Sequence, residues 1–302
     1  MKKRILSLFI VILVTLTGCY TQNLVTVRSA NDDISENLDL EAVAALFGES
    51  TNLEDFEARI NDPQNHISNL DLNGDGYVDY IRVVESMENG VYLITLQDVL
   101  GHDQYQDIAT IDVGRNTEGY VLVEIVGDPY FYGPNYIIQP IYNTRPVIYS
   151  IFWNPYHRFW VSPYYWNYYP HYFQPWRPYT IVNYRSYISR YRMAPQYYRY
   201  MHARTYNYGD RFNNKIFRND YEKMHPNRGF EHRNQGYQNA RELYQKRNNF
   251  NNNVGRQNTP EHREAPNRDV KQQPVRVNKE APKYREAPVT REKSPVYNKE
   301  RP

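Results

Sequence analysis

Two stretches near the start of the chain carry apolar residues at helical spacing. The first begins after Asp39, a favourable N-cap residue, and runs to about Phe47, before Gly48. The second opens with the capping-box pattern Thr-Asn-Leu-Glu at residues 51–54 and ends at the Asp-Pro pair 62–63. The apolar faces consist of Leu40, Val43, Ala44 and Phe47 in the first stretch and of Leu53, Phe56 and Ile60 in the second. We therefore predict two short amphipathic helices.

Beyond residue 77 the pattern changes to extended segments that are rich in Val, Ile and Tyr. Four such segments span residues 78–85, 91–100, 107–113 and 120–126. Turn-forming residues separate them, and the short connections favour antiparallel pairing because parallel strands need long crossovers. The sequence therefore predicts an α+β fold, in which two short helices pack on a four-stranded antiparallel meander and form a small acidic head at residues 37–128.

From residue 129 to residue 200 the chain is rich in Tyr, Trp, Pro and Arg. All four Trp lie there, and the nine Pro between residues 129 and 178 disfavour long helices and strand ladders. We predict an irregular segment and leave three interpretations open. Its rings lie among the headgroups of a membrane, or they stack on the sugars of a glycan while Arg pairs with carboxylates or phosphates, or the segment packs on the open face of the sheet.

Residues 201–302 are poor in apolar side chains and rich in Asn, Arg, Gln and Pro. A basic-Glu-Ala-Pro unit recurs at residues 263–266, 279–282 and 285–288. Such a composition cannot compensate for the entropy of ordering by burying apolar surface. We therefore predict a disordered basic tail with polyproline II character, in which residues 239–246 can form short helical turns.

The first eighteen residues have the organisation of a signal peptide. A basic start, Met-Lys-Lys-Arg, precedes an apolar run at residues 5–16, which is too short to span a bilayer comfortably as a helix. The run leads into Leu-Thr-Gly-Cys at residues 16–19, which resembles the bacterial lipobox. The resemblance implies cleavage after residue 18, acylation of Cys19 with chains such as palmitate, and a lipidated tether at residues 19–36. Because Thr21 stands where Asp would retain a lipoprotein in the inner membrane, it also implies the outer membrane, facing the periplasm.

The net charge of +2 conceals a strong polarity along the chain. Residues 20–128 hold 22 Asp and Glu against 4 Lys and Arg, whereas residues 129–200 hold 7 Arg and no acid. Residues 201–302 hold 22 Lys and Arg against 12 acids. This layout favours contact between tail and head, or binding of an anionic surface by the basic segments, and a merely solvated basic tail is the alternative.

One segment has the residue pattern of a metal-binding loop. Between the second predicted helix and the first predicted strand, oxygen ligands recur at alternate positions, at Asp71, Asn73, Asp75, Tyr77 (through its carbonyl) and Asp79. In a tight loop such oxygens point inward, Gly76 permits the turn, and Ca²⁺ binds about six to eight oxygens. The alternative is a plain hairpin turn, since Asn-Gly and Asp-Gly are good turn sequences. Turn formation does not require three aspartates, which repel one another unless a cation neutralises them.

This segment resembles the calcium loops of EF-hands, dockerins and integrin-like repeats. An EF-hand has a bidentate Glu at its twelfth position, where this chain has Arg82. A loop followed by a strand, as in integrin-like repeats, fits residues 80–84 better. The resemblance implies a structural Ca²⁺ at the junction of helix and sheet, in the weak extracellular class with a dissociation constant of about 10⁻⁴–10⁻³ M.

Motifs for catalysis are missing from the sequence. It has no Gly-x-Ser-x-Gly elbow, no phosphate-binding Gly loop and no His-Glu-x-x-His helix, and its single Cys cannot form an intrachain disulfide or a cysteine metal cluster. We therefore predict a non-catalytic envelope lipoprotein whose aromatic and basic segments contact cell-wall glycan or lipopolysaccharide. The predicted export argues against nucleic acid as a partner. The alternative is a cell-wall hydrolase, or an enzyme accessory subunit, with its site in the acidic head.

Overall fold

The computed structural model of the protein describes residues 34–192, 196–206 and 217–246. The predicted signal peptide, Cys19 and the tail beyond residue 246 lie outside these ranges. Within them, no helix combines the length and the apolar composition that are required to cross a lipid bilayer.

Both predicted helices are present. Helix α1 spans Leu40–Glu49 and helix α2 spans Leu53–Ile60. Asp39 caps α1 by accepting a hydrogen bond from the N–H three residues along at 3.0 Å, and Asn52 caps α2 in the same way at 2.8 Å. The cap of α2 is thus one residue later than the predicted one, because the Asn side chain takes the role that the pattern assigns to Thr.

Gly48, which the pattern places at the end of α1, lies inside the helix. A Cβ atom at this position would lie 2.2 Å from Tyr142 Cε1. The Tyr142 hydroxyl donates to Ala44 O of the same helix at 2.7 Å. The glycine therefore allows a ring from a distant strand to lie against the helix surface, and it does not terminate the helix.

One antiparallel sheet of six strands, in the order β1-β2-β3-β4-β5-β6, forms the centre of the fold. The strands span Ile81–Glu88 (β1), Val91–Gly101 (β2), Gln104–Arg115 (β3), Val121–Gly127 (β4), Ile137–Tyr142 (β5) and Gln196–Met201 (β6). The first four correspond to the predicted strands. The prediction of a four-stranded meander is wrong, because two further strands continue the sheet beyond β4; the fold still belongs broadly to the α+β class.

Both additional strands come from the segment predicted to be irregular. That prediction counted Pro140 against a strand, yet the proline lies within β5 opposite Tyr198, and six residue pairs join β5 to β6. A proline removes one ladder N–H and leaves its neighbours free to pair. The partner strand lies beyond the long connection of residues 143–195, so no hairpin turn marks the pair in the sequence.

The connection between β5 and β6 packs back on the helices. Helix α3, Pro129–Tyr132, precedes β5, and helix α4, Ile181–Arg192, precedes β6 and lies against α1. The buried hydroxyl of Tyr184 in α4 accepts from Asp39 N at 3.0 Å and donates to Ile67 O at 2.7 Å. Among the three interpretations of this segment, these contacts favour packing on the fold.

Aromatic side chains of the same connection cover one end of the sheet. Tyr80, Val99, Tyr105 and Phe173 form a buried cluster, and the rings packed around it are Tyr164, Trp166, Tyr169, Tyr172 and Trp176. The rings of Tyr80 and Phe173 meet at 5.0 Å and 84°, an edge-to-face contact. The abundance of Tyr and Trp in the sequence thus serves, in part, as a second core.

Part of the tail predicted to be disordered is folded. Residues 217–246 contain helix α5 (Asp220–Met224), helix α6 (Phe230–Arg233) and helical residues 240–246. Phe230 and Leu243 are buried, and the backbone of Arg218 accepts a 2.7 Å hydrogen bond from Asp107 N of β3. The helix at residues 240–246 lies where the sequence allows short helical turns. The prediction of disorder is wrong for residues 217–238, because a few apolar anchors, widely spaced in a polar segment, suffice to fix it on an existing core.

Candidate metal centre

The predicted calcium loop lies between α2 and β1, and its backbone wraps around its own side-chain oxygens. Asp71 accepts two hydrogen bonds, from Gly74 N at 2.8 Å and from Gly76 N at 3.2 Å. Both glycines have positive φ angles, of 78° and 88°, a conformation that is costly for other residues. Glycine is therefore needed at both positions for the loop to close on Asp71.

The next two predicted ligands repeat this arrangement. Asn73 Oδ1 accepts from Asp75 N at 2.9 Å, and Asp75 Oδ1 accepts from Tyr77 N at 2.8 Å. Each of these oxygens has a second lone pair, so a hydrogen bond within the loop does not prevent it from binding a cation. Asp75 is exposed, which opens this side of the loop to solvent and to ions.

Asp79, the last predicted ligand, is buried beneath the loop. Its Oδ2 accepts a hydrogen bond from Leu72 N at 2.5 Å, and its own N–H donates to Leu70 O at 2.8 Å. Only 5% of Asp79 is exposed. The residue therefore joins the end of the loop to its beginning through both backbone and side chain.

A carboxyl that sequence reasoning missed, Asp98, approaches Asp79 from the sheet. Asp98 lies on β2 opposite Ile81 and is fully buried, and among the described residues neither of its carboxylate oxygens has a donor in good hydrogen-bond geometry; the polar groups nearest to it are the Asp79 carboxyl and the Val99 N–H. Burial above all, and the nearby charges of Asp79 and Asp71, raise the pKa of Asp98 well above its usual value. Burial also raises the pKa of Asp79, to about 8, and Asp71 adds to the shift. A buried pair of this kind needs a shared proton or a cation.

The loop contains the kinds of oxygen atom that a hard cation takes as ligands. Ca²⁺ takes carboxylates, amide oxygens and backbone carbonyls as ligands, and the loop offers all three kinds. In the described part of the chain, no three His, Cys, Asp or Glu side chains converge so as to hold a metal by themselves. A site at this loop would therefore require Asn73 and the Tyr77 carbonyl as well as carboxylates. Asp98 supplies a carboxylate that the loop pattern alone lacks.

One signal in the sequence marks Asp98. The segment 91–100 is otherwise almost entirely suited to a buried strand, and a carboxylate in such a strand needs a partner. The identity of the partner follows only from the strand register, which places Asp98 opposite Ile81, two residues beyond Asp79. Sequence spacing does not reveal that register.

A second buried carboxylate fixes the aromatic connection to α2. Glu57 accepts hydrogen bonds from Tyr80 OH and Trp160 Nε1, both at 2.7 Å, from Ser162 Oγ at 2.5 Å and from Val83 N at 3.2 Å. Burial raises the pKa of Glu57, and the four donors oppose that shift. Its charge is thus matched by donors from β1 and from the connection, which suits a structural role.

A third buried carboxylate, Glu85, holds the same connection on β1. Its Oε1 lies 2.8 Å from His157 Nε2, and its Oε2 accepts from Trp160 N at 2.9 Å. The Glu85 side chain is fully buried and the His157 side chain is 10% exposed. Residues 157–162 are therefore positioned by two carboxylates of the head.

Two buried carboxyls away from the loop contribute to the dependence of stability on pH. Burial raises the pKa values of Asp107 and Asp128 to about 7. Between about pH 4 and pH 7 the folded protein keeps protons that the unfolded chain has lost, so the free energy of unfolding falls as pH rises.

We expect the melting temperature in EGTA to be lower at pH 8 than at pH 5. Asp107→Asn will reduce this difference and exposed Glu118→Gln will not; a melting temperature that rises with pH would contradict the assignment.

Of the predicted site residues, the structure gathers Asp71, Asn73, Asp75, Tyr77 and Asp79 in one loop, and Cys19 lies outside the described residues. Comparison of the chain with protein-family models, with curated proteins and with solved structures finds no match. Its function is therefore inferred from its own residues.

Proposed function

We propose that this chain is a non-catalytic lipoprotein of the cell envelope, with a head that is stabilised by Ca²⁺ and that contacts an anionic envelope polymer. The observation that carries the calcium site is Asp98, a fully buried carboxyl that shares its surroundings with the buried Asp79 and has no donor in good hydrogen-bond geometry among the described residues, beside the loop that offers the other ligands. Burying such a group is costly unless a proton or a cation neutralises it.

The proposed ligands are the side chains of Asp71, Asn73, Asp75 and Asp79, the carbonyl of Tyr77, and the carboxylate of Asp98. Because the loop connects α2 to β1 and Asp98 belongs to β2, an ion bound by both fixes the helical layer to the sheet. The role is structural.

Calorimetric titration of the full chain with Ca²⁺, together with thermal melting, tests the site. With a dissociation constant of about 10⁻⁴ M, Ca²⁺ at one-hundredfold excess over that value stabilises the fold by about 2.7 kcal/mol. For a domain of this size the melting temperature then rises by roughly 5–10 °C. Asp75→Ala will abolish both the heat and the shift. Glu118→Ala, which removes one exposed charge on another turn, will preserve them.

Absence of heat and of a melting shift in the unmodified chain would remove the calcium site from the proposal. A shift that Asp75→Ala leaves intact would show that Ca²⁺ binds elsewhere.

The lipid anchor is proposed from the lipobox alone. We expect cells that express the chain to incorporate labelled palmitate into it, and we expect Cys19→Ala to abolish the label. Mature protein that retains its first eighteen residues would overturn this part of the proposal.

Contact with an anionic polymer is proposed from the charge layout and is tested by co-sedimentation with purified cell wall and lipopolysaccharide. Deletion of residues 129–302 is unsuitable for this test, because it would remove β5, β6 and α4 from the fold. Deletion of residues 247–302 leaves every described residue in place. Retention of the full chain without turnover of the wall supports the proposal, whereas wall cleavage would support the alternative of a hydrolase.

A further inference from the structure

A cleft opens in the sheet where β4 and β5 separate. Among the described residues, the two strands pair only at Ile125 with Ile138 and at Val126 with Ile137. Pro140 has no N–H with which to continue the ladder. The first half of β4 and the second half of β5 therefore diverge and border a cleft of about 660 Å³. Such a volume is typical of sites for small ligands.

Three arginines line this cleft. Arg115 ends β3, Arg145 follows β5 and Arg199 belongs to β6. All three are exposed, and within the described ranges none of them forms an ion pair with a carboxylate. None of the described residues that line the cleft is Asp or Glu. By the strand register, Arg115 lies on the face of the sheet that carries Ile125 and Ile138, and Arg199, opposite Gln139, lies on the other face, so the cleft carries positive charge on both sides of the gap between β4 and β5.

Contacts from neighbouring side chains orient two of these arginines. Arg115 Cζ lies 4.3 Å from the centroid of the Trp153 ring, and Arg199 Nη1 donates to Gln139 Oε1 at 3.3 Å. A guanidinium that stacks on a ring keeps its N–H donors in the plane of the group, where they match the two oxygens of a carboxylate or phosphate. The cleft is therefore arranged for anions before any ligand arrives.

The remaining lining suits a sugar ring. Tyr120 is 67% exposed and Ile141 is 42% exposed at the cleft, so an aromatic face and an apolar edge are available to the C–H faces of a saccharide. The diverging strands also carry backbone N–H and C=O groups without a strand partner, which can bond to hydroxyls. A single inorganic anion uses neither feature.

We propose that this cleft binds an acidic saccharide, with carboxylates paired to Arg115, Arg145 and Arg199 and a sugar ring against Tyr120. This role rests on the proposed function, since it names the surface through which the protein contacts an anionic envelope polymer. Arginines contributed by three different elements favour a polymer that carries charge at intervals over one small anion.

Calorimetry of the full chain in detergent, with Ca²⁺ present, tests the cleft with three probes. Hyaluronan hexasaccharide carries a carboxylate on every second sugar, hexa-N-acetylchitohexaose has the same length without charge, and inorganic phosphate has charge without a sugar. We expect the hyaluronan hexasaccharide to bind at least about tenfold more tightly than either of the others, because only it engages both the arginines and the ring.

Two double variants locate the binding. Arg145→Gln with Arg199→Gln removes two charge-assisted contacts and will weaken binding of the hyaluronan hexasaccharide by about tenfold or more. Arg158→Gln with Arg177→Gln removes the same charge from two exposed arginines outside the cleft and will leave binding within about twofold. Tyr120→Ala will weaken binding of the hexasaccharide and leave the response to phosphate unchanged. Unchanged melting temperatures will show that the variants are folded.

Equal affinity for the two hexasaccharides, or for hexasaccharide and phosphate, would overturn the assignment, as would an equal loss in both double variants. Binding that survives Arg145→Gln with Arg199→Gln would overturn the cleft and leave the polymer contact to another surface. If the chain binds no probe but is retained on envelope polymer, the acidic saccharide is wrong and the proposed function stands. If the chain is also not retained on the envelope polymer, both the acidic-saccharide assignment and the proposed polymer contact are wrong.

Discussion

The Asp98→Asn variant will lose its stabilisation by Ca²⁺ and will be more stable than the unmodified chain when Ca²⁺ is absent. In EGTA at pH 8 the substitution removes one of two buried carboxyls and provides an amide N–H that can donate to Asp79. We expect a gain of about 1–3 kcal/mol in the free energy of unfolding, the scale of one buried polar group that lacks a partner. With Ca²⁺ the variant lacks a ligand, so the melting shift will fall to near zero. Urea unfolding with and without Ca²⁺ measures both effects.

Asp107→Asn is the matched control. Asp107 is also a buried aspartate in the sheet, but it lies opposite Gln97, the neighbour of Asp98, so its side chain points to the other face. This variant will keep the full response to Ca²⁺. If Asp98→Asn destabilises the protein equally in EGTA and in Ca²⁺, Asp98 has a structural role and the sixth ligand is wrongly assigned.

Replacing Glu57 by Leu will lower the free energy of unfolding by about 3–5 kcal/mol. The substitution preserves the approximate volume but leaves the donors of Tyr80, Trp160 and Ser162 buried without their acceptor. Each unsatisfied buried donor costs about 1–3 kcal/mol, and part of that cost is relieved by rearrangement. We expect the melting temperature to fall by about 10 °C or more. Tryptophan fluorescence will shift to the red as the connection that contains Trp160 loosens.

Glu54→Leu provides the comparison on the same helix. Glu54 lies one turn earlier in α2 and is exposed, so its loss will cost no more than about 0.5–1 kcal/mol through the helix dipole. If the two variants lose similar amounts of unfolding free energy, the buried hydrogen bonds of Glu57 contribute nothing beyond the interaction of a negative charge with the helix N-terminus.

Local patterns in the sequence suffice to predict the helices and strands of the head, residues 37–128. The spacing of apolar residues places α1 and α2 within a few residues of their observed bounds, and turn residues separate β1 to β4 correctly. These elements are readable because a helix is stabilised by contacts three and four residues apart, and a hairpin by strands joined through a short turn. The loop at residues 71–79 is readable for the same reason, since the hydrogen bonds that its Asp and Asn side chains accept join residues no more than seven apart.

Packing between residues that are distant in the chain determined the features that the sequence pattern did not predict. β5 and β6 pair across residues 143–195, Gly48 makes room for Tyr142, and Asp98 meets Asp79 through the register of β1 and β2. No periodicity encodes such contacts, because each depends on which distant surface covers a residue. The sequence by itself determined the two helices, the first four strands and the loop with its oxygen pattern. Only the tertiary structure decided that the aromatic segment completes the sheet, that a buried carboxylate joins the loop, and that three arginines border one cleft, since burial and strand pairing bring together residues that are far apart in the chain.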